Sequence, residues 1–353
     1  MRISVQILFI AIAVLAVSQR AFGQDRSAFV SDASYIVGTY TPQKSDHSAK
    51  SMANRANAFL KTLSAAQKQK VMGSINSEIR RQWTNLPARP DADGIKMSEL
   101  DEKQSKAACD MMAALFSKQG YDKMVNIMLA DDQLLRNGRP RPGFGTDNFA
   151  IVIFGKPSAT EAWGFQLDGH HVGVNLSLEG DKVCMSPSFI GTQPAKFSIG
   201  KKTIQPFQNE SGVAYKLAGS LTFEQLKTAI ISDTRGNVRL GPGQDGRVPR
   251  KTGVQVSSFS AKQKAMLVKL ISQWVNDLPA KQAATRMAKI EKELDQTYFA
   301  WSGDKAPNSD VSYVIQGPSL IIEYACQDLG GKPLEHLHSV YRDPTNEYGG
   351  QLK

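Results

Sequence analysis

The sequence contains few of the residues that cross-link chains or carry redox chemistry. Its 353 residues include only three cysteines, Cys109, Cys184 and Cys326, and five histidines. No cysteine has the CxxC spacing of a redox or zinc site, and three thiols allow at most one internal disulfide, which leaves a Cys184–Cys326 bridge open. A disulfide-dense small domain is excluded. No P-loop is present, and no GxGxxG motif follows a predicted strand, so nucleotide-binding signatures are also missing.

Long hydrophobic runs are equally scarce. The one clear run, Ile7–Val17, has the length of a signal peptide and is too short to span a bilayer as a helix. Small residues at Ala21 and Gly23 occupy the −3 and −1 positions of a cleavage site, so we expect residues 1–23 to be removed. An uncleaved anchor is the alternative. We therefore expect a periplasmic or extracellular protein with no transmembrane anchor in the mature chain.

An excess of basic residues gives the chain a formal charge of +10. The Lys and Arg side chains are dispersed, and no helix-turn-helix, zinc-finger or RNP-type motif accompanies them, so no nucleic-acid partner is expected. Solvated surface loops explain such charge most simply. For an exported protein, the functional alternative is an anionic envelope surface, either a polysaccharide or a lipid headgroup.

Helical and strand patterns occur in alternating blocks. Residues 50–130 are helical in pattern, 148–215 are strand-rich, and 310–325 and 334–342 return to strand. Helices after Thr222 and Ser260 form the second helical block, separated by a long loop over 233–256. This order predicts an α+β protein with helical blocks packed on a mainly antiparallel sheet, as two interleaved lobes of one domain. The expected boundaries are a flexible arm over 24–49, the domain over 50–348 and a tail over 349–353.

Three helix starts share the capping-box pattern [ST]xxQ, at Ser64, Thr222 and Ser260. Their spacing is irregular and the surrounding residues differ. We interpret them as repeated use of one capping device and not as a solenoid repeat.

Four of the five histidines fall in two pairs, His170-His171 and His336-Leu-His338. In a strand, residues two apart lie on one face, so His336 and His338 are placed to chelate one metal ion. His170 and His171 would point to opposite faces, and either is a candidate third ligand; a bulge would offer both. Three imidazoles are the ligand set of an open catalytic zinc site. The alternative is a structural cluster hydrogen-bonded to the backbone.

Charged residues near these pairs are candidate partners in catalysis. Glu323 lies inside an apolar strand pattern, where an unpaired carboxylate is costly, so it needs a cation, a hydrogen-bond donor or a proton. Glu323 or Asp168 is a candidate general base or orienting group for a ligating histidine. Arg342 is a candidate for stabilising an oxyanion, or else a simple ion-pair partner of Glu323.

Several segments form a pattern together: Trp163-Gly-Phe165, Asp168-Gly-His-His171, Asn175, Tyr298–Gly303, Ile315–Pro318, Ile321–Glu323 and His336–Pro344. This pattern resembles a known family, the domain of unknown function 3500, whose members are mostly exported bacterial proteins without an assigned activity. Residue 341, often Trp in the family, is Tyr here. The resemblance implies one long domain and implies that both histidine segments belong to the family pattern, but it implies no reaction.

These observations together predict an exported metal-dependent hydrolase of the zinc type, with His170, His171, His336 and His338 as candidate ligands. Imidazole also suits copper and iron, so a metal-carrying protein or an oxidoreductase is a second hypothesis. A non-enzymatic protein that binds envelope glycan through its basic surface and aromatic residues is the third.

Overall fold

The structure is a computed structural model that describes residues 26–352, apart from 88–92, 138–141, 307 and 329–331. The predicted signal peptide lies outside the described residues. Within them the chain is α+β, as predicted. The helices are α1 Asp32–Thr39, α2 Ala49–Thr62, α3 Ala65–Val71, α4 Glu102–Leu115, α5 Lys118–Asn137, α6 Gln208–Ser220, α7 Phe223–Ala229, α8 Ala261–Val275 and α9 Ala280–Lys292. No helix in the described part of the chain is long and apolar enough to cross a membrane.

The strands alternate with these helices in two groups. They are β1 Met72–Gly73, β2 Ile95–Lys96, β3 Ala150–Phe154, β4 Trp163–Gly169, β5 Val172–Glu179, β6 Lys182–Thr192, β7 Phe197–Ile199, β8 Lys202–Ile204, β9 Ile230–Ser232, β10 Val254–Gln255, β11 Tyr298–Ser302, β12 Ser312–Gln316, β13 Ile321–Cys326 and β14 Leu337–Arg342. Twelve of them form one sheet in the order β1-β3-β4-β5-β6-β14-β13-β12-β11-β10, with β2 beside β3 and β9 beside β11. The sheet is mainly antiparallel; β1–β3 and β9–β11 are the parallel pairs.

The strand order is nearly symmetric about the central β6–β14 pair. Each half begins with two helices, a short strand parallel to the first long strand, an irregular segment, a short antiparallel strand and a further helix. Registers agree as well: β3 pairs Ala150 with Asp168, and β11 pairs Tyr298 with Gln316 at the corresponding place. The two halves are therefore structural repeats that share one continuous sheet.

The predicted capping boxes are all present; Ser64 and Thr222 occupy equivalent places in the two halves, and the counterpart of Ser260 is a capping box at Asp101. The Gln67 side chain, at the start of α3, exchanges two 3.0 Å amide hydrogen bonds with Gln104 of α4. Gln225 of α7 and Gln263 of α8 make the same exchange at 3.2 and 2.9 Å. The interpretation of these motifs as one capping device used repeatedly was therefore incomplete, because each belongs to a duplicated unit.

The two faces of the sheet are covered differently. Helices bury one face in a large apolar core that includes Phe59, Leu115, Trp274 and Tyr324. The other face carries a smaller cluster of Trp83, Phe189, Leu240, Ile321, Val340 and Tyr348, covered by irregular segments within 74–87 and 233–253. Alternation along β14 places His338 on the same face as Val340. This loop-covered face positions the site.

The N-terminal segment differs from the expected flexible arm. Helix α1 buries Ala33, Ile36 and Val37, and the Tyr40 hydroxyl donates to Asp110 Oδ1 at 3.1 Å. Apolar residues at helical spacing within an otherwise polar stretch anchor this segment to α4 and α5.

Candidate metal centre

The β4–β5 turn, the end of β6 and the start of β14 meet at one end of the sheet. His170 and His171 form the turn between these strands. The strand alternation expected from the sequence therefore does not apply to them. His171 adopts a left-handed φ of 70°. Its N–H donates to the Asn85 carbonyl at 3.0 Å, and its carbonyl accepts from Gly191 at 2.7 Å. These two bonds hold the turn so that the His171 ring faces β14.

Three imidazole nitrogens converge at this point. His336 Nε2 lies 2.8 Å from His171 Nε2 and 2.9 Å from His338 Nε2. His171 and His336 are buried, and His338 is half-buried. The tertiary structure thus brings together three of the four predicted ligands, and selects His171 from the adjacent pair.

Hydrogen bonds between the rings cannot link all three of these nitrogens. A neutral imidazole nitrogen offers either one N–H or one lone pair, so His336 Nε2 makes at most one good hydrogen bond with its two neighbours. Burial, with smaller contributions from the neighbouring imidazoles, lowers the pKa of His171 well below its ordinary value and that of His338 to about 3. Both rings are therefore neutral near pH 7, which is the state in which imidazole binds a metal.

His170 has a different environment from its neighbour. Its Nδ1 lies 2.5 Å from Asp131 Oδ1, and its ring stacks on His171 with centroids 3.7 Å apart and contacts Phe144. Asp131 is buried in α5, and its second oxygen accepts from the Gly145 N–H at 2.6 Å. Ligand atoms of Asp131, His170 and His171 also lie within 4.8 Å of one another.

Asp131 and Gly191 belong to this site and were missed by the sequence analysis. A carboxylate within the apolar stretch of α5 is the sequence signal that points to Asp131, by the same argument that singled out Glu323. Gly191 has no comparable signal. A Cβ at Gly191 would lie 2.9 Å from Cδ2 of both His171 and His338, so glycine is required for the close approach of the two rings.

Asp168 is near the turn but contributes no atom to either group of converging ligands. It lies in β4, paired with Ala150 and Gly173. Burial raises its pKa well above the ordinary value, partly offset by a hydrogen bond from the Thr84 backbone.

Glu323 and Arg342 lie apart from the converging imidazoles and from each other. Glu323 Oε2 accepts backbone N–H bonds from Arg239 and Leu240 at 2.7 and 2.9 Å. Arg342 is fully buried and binds Glu347, Asp245 and the carbonyls of Leu240 and Gln244. It follows His338 by four residues of β14, which corresponds to about 13 Å. The considered Glu323–Arg342 ion pair is not formed.

The cysteines take no part in the site. All three are free and buried, so the Cys184–Cys326 bridge left open by the sequence is not formed. Burial raises the pKa of Cys109 to about 11 and that of Cys184 to about 12, so both remain thiols. They behave as small apolar residues.

The fold and site define a class: a duplicated α+β protein with a buried three-histidine cluster between its halves. Residues 45–350 match the family described as Protein of unknown function (DUF3500). The chain belongs to this family, and the match spans both halves. No curated protein and no solved structure is significantly similar to it.

Proposed function

We propose that this chain is an exported metal-binding protein whose ion is held by His171, His336 and His338. The observation that carries the proposal is the convergence of three imidazole Nε2 atoms, two of them on buried side chains, with His336 Nε2 within 2.8 and 2.9 Å of the other two. An ion with metal–nitrogen bonds of about 2.0–2.1 Å separates tetrahedral ligands by about 3.4 Å. Ring movements of a few tenths of an ångström accommodate it.

Zinc is the ion we assign to this ligand set. Three nitrogen ligands leave one position of a tetrahedral ion open, the arrangement of catalytic and not structural zinc. The half-buried His338 marks the side on which solvent and substrate approach. Copper and iron also bind imidazole, and the measured ion decides between a hydrolytic and an oxidative role.

A metal-dependent hydrolase is the activity that this arrangement supports best. Zinc bound by three imidazoles lowers the pKa of water to about 7 and so supplies a nucleophile at neutral pH. Asp131 holds His170 against His171. We assign Asp131, acting through His170, to orient the ligand shell and to accept a proton. Glu323 and Arg342 have no part in this mechanism because each is engaged elsewhere, and Asp168 has none because it contributes no atom to either group of converging ligands.

Metal content of the full chain, exported natively and purified without a His tag, tests the proposal. We expect about one ion per chain by elemental mass spectrometry, and its loss in His171→Ala and His338→Ala. His47→Ala is the matched control, because its Nδ1 contacts the Ala114 carbonyl away from the cluster. Metal-free protein that also takes up no added zinc, copper or iron would overturn the proposal and favour glycan binding.

Export itself is proposed from residues 1–23, which have the form of a cleaved signal peptide. Cell fractionation and N-terminal sequencing test it. We expect the mature chain to begin at Gln24 in the exported fraction. Full-length protein confined to the cytoplasm would contradict the proposed localisation.

A further inference from the structure

Glu323 lies at a second feature of the loop-covered face, a cavity of about 210 Å³ between β11–β13 and the segment after β9. The volume is below the roughly 300–1,000 Å³ of pockets for drug-sized ligands, so it suits a small molecule or a single functional group. His338 lies on the same sheet face, two strands from Ser312. The cavity shares no lining residue with the histidine cluster.

The carboxylate of Glu323 is only half satisfied. Glu323 is only 3% exposed. Its Oε2 atom accepts the backbone N–H bonds from Arg239 and Leu240. The second oxygen, Oε1, accepts no hydrogen bond from the described residues. Because a buried carboxylate with a free oxygen is costly, this oxygen calls for a donor within the cavity.

Two hydroxyl groups line the same cavity. Ser302 and Ser312 pair directly across β11 and β12, and Val314, two residues on, pairs with Glu323. By strand alternation all three polar side chains share one face. Ser312 Oγ accepts from the Gly236 N–H at 2.8 Å, whereas the Ser302 hydroxyl, on a buried residue, has no partner among the described residues.

The equivalent position in the first half is closed. There Gln166 and Asn175 occupy the register of Val314 and Glu323. Gln166 donates to Asn175 Oδ1 at 2.6 Å, and Asn175 donates to the Pro187 carbonyl at 3.0 Å. The side-chain amide of Asn175 is thus satisfied internally, and the first half has no counterpart of the free carboxylate oxygen.

Charge around the cavity is consistent with a cationic group. Glu323 is the carboxylate among its lining residues. Arg235, also in the lining, is neutralised by Asp310 and Asp328 at 2.7 and 2.8 Å. Arg239 lines the rim and is exposed, so its charge is screened by water and salt.

We propose that this cavity binds the primary ammonium group of a small organic amine. An ammonium group has three N–H donors and no acceptor. It therefore matches Glu323 Oε1 as its charged acceptor, and Ser302 and Ser312 supply further hydroxyl groups in the same cavity. This site is independent of the histidine cluster and of the metal proposed there.

Binding of ethylammonium chloride to the full chain tests the proposal, by ligand-observed NMR at constant ionic strength. We expect saturable binding, and none of tetramethylammonium, which has no N–H donor. Glu323→Gln should weaken binding at least about tenfold, as expected for loss of a charge-assisted hydrogen bond. Its amide oxygen still accepts the Arg239 and Leu240 N–H groups, so the fold is retained.

Ser302→Ala provides a second variant should Glu323→Gln prove unstable, and we expect it to weaken binding several-fold. Glu335→Gln, at an exposed glutamate, matches the charge change and should leave binding intact. Absence of ethylammonium binding, equal binding of tetramethylammonium, or undiminished binding in both cavity variants would overturn the proposal. Metal content plays no part in this readout.

Discussion

At the level of single residues, Gly191 controls how closely the imidazole rings of His171 and His338 approach β6. Its amide holds the His171 carbonyl, and its missing side chain leaves room for the rings of His171 and His338. A glycine in a strand usually weakens it. Here the glycine is explained by the close approach of the two rings.

Gly191→Ala should lower metal occupancy sharply, because a Cβ 2.9 Å from two ring carbons forces the imidazoles apart. Elemental analysis of the purified variant is the measurement. Gly212→Ala in α6 is the control, since nothing lies within 4 Å of its added Cβ and alanine favours a helix. Full occupancy in Gly191→Ala would show that the cluster does not depend on this approach.

Asp131 acts on the site through His170. We expect Asp131→Asn to weaken zinc affinity by less than the roughly 10–100-fold that follows loss of a direct hydrogen-bond partner of a ligand, because Asp131 acts through His170, which packs on His171. Competition with a chromophoric chelator measures this change. Asp132→Asn is the neighbouring control, because Asp132 binds Thr146 and not a histidine. Equal losses in both variants would indicate a general disturbance of α5.

Asp132 also predicts a pH dependence of stability. Burial raises its pKa to about 6, above the ordinary 3.8, so the folded state binds this proton more tightly than the unfolded state. The resulting stabilisation is full below about pH 4 and is lost as the pH rises through 6.

We therefore expect the unfolding free energy of wild type, relative to Asp132→Asn, to fall by about 1–3 kcal/mol between pH 4 and pH 7. Urea unfolding of metal-free protein at both values measures it. His171 and His338 titrate alike in both proteins, so their opposite contribution cancels. A pH-independent difference would contradict the assigned shift.

At the level of elements, the paired glutamines join helices that are distant in sequence. Gln104 donates to the Thr62 carbonyl as well as to Gln67, and Gln263 donates to Ser220 as well as to Gln225. Each amide thus closes the end of one helix and the start of another. The same contacts in both halves explain why the capping pattern recurs at irregular spacing.

Gln104→Ala and Gln263→Ala should each destabilise the fold by about 1–3 kcal/mol, because each leaves buried or capping groups without partners. Thermal or urea unfolding measures the loss, which should be similar in the two variants. Gln69→Ala, outside these networks, is a suitable control. A loss in only one half would show that the two networks are not equivalent in energy.

At the level of the whole molecule, the two halves meet through β6 and β14 in one sheet. Phe189 pairs with Val340 at the centre of this junction. Buried ion pairs of Lys123 with Glu210 and Asp277 also link α5 of the first half to α6 and to the turn after α8 of the second half. Neither half completes its sheet or its core alone.

We expect a single cooperative unfolding transition in spite of the duplication. Trp83 and Trp163 report on the first half, and Trp274 and Trp301 on the second. Tryptophan fluorescence and far-UV circular dichroism should therefore give coincident urea curves. Two separated transitions would show that the halves unfold independently.

Local patterns in the sequence determined much of this protein. Capping residues and apolar periodicity identified the α+β class, because helix starts and strand alternation depend on neighbours in the chain. The two histidine pairs identified the candidate ligands, because spacing within each pair is also a property of neighbouring residues in the chain. Asp131, Gly191 and the duplication were not predicted, since they depend on contacts between distant segments.

The tertiary structure decided which polar residues meet. It turned the chain at His170-His171, so that strand parity no longer applied, and it selected His171 for the three-nitrogen cluster. It placed Glu323 on backbone amides and Arg342 among carboxylates, away from that cluster. Spacing along a strand fixes only which residues share a face. Whether faces of different strands meet depends on register and turns, which only the folded sheet determines.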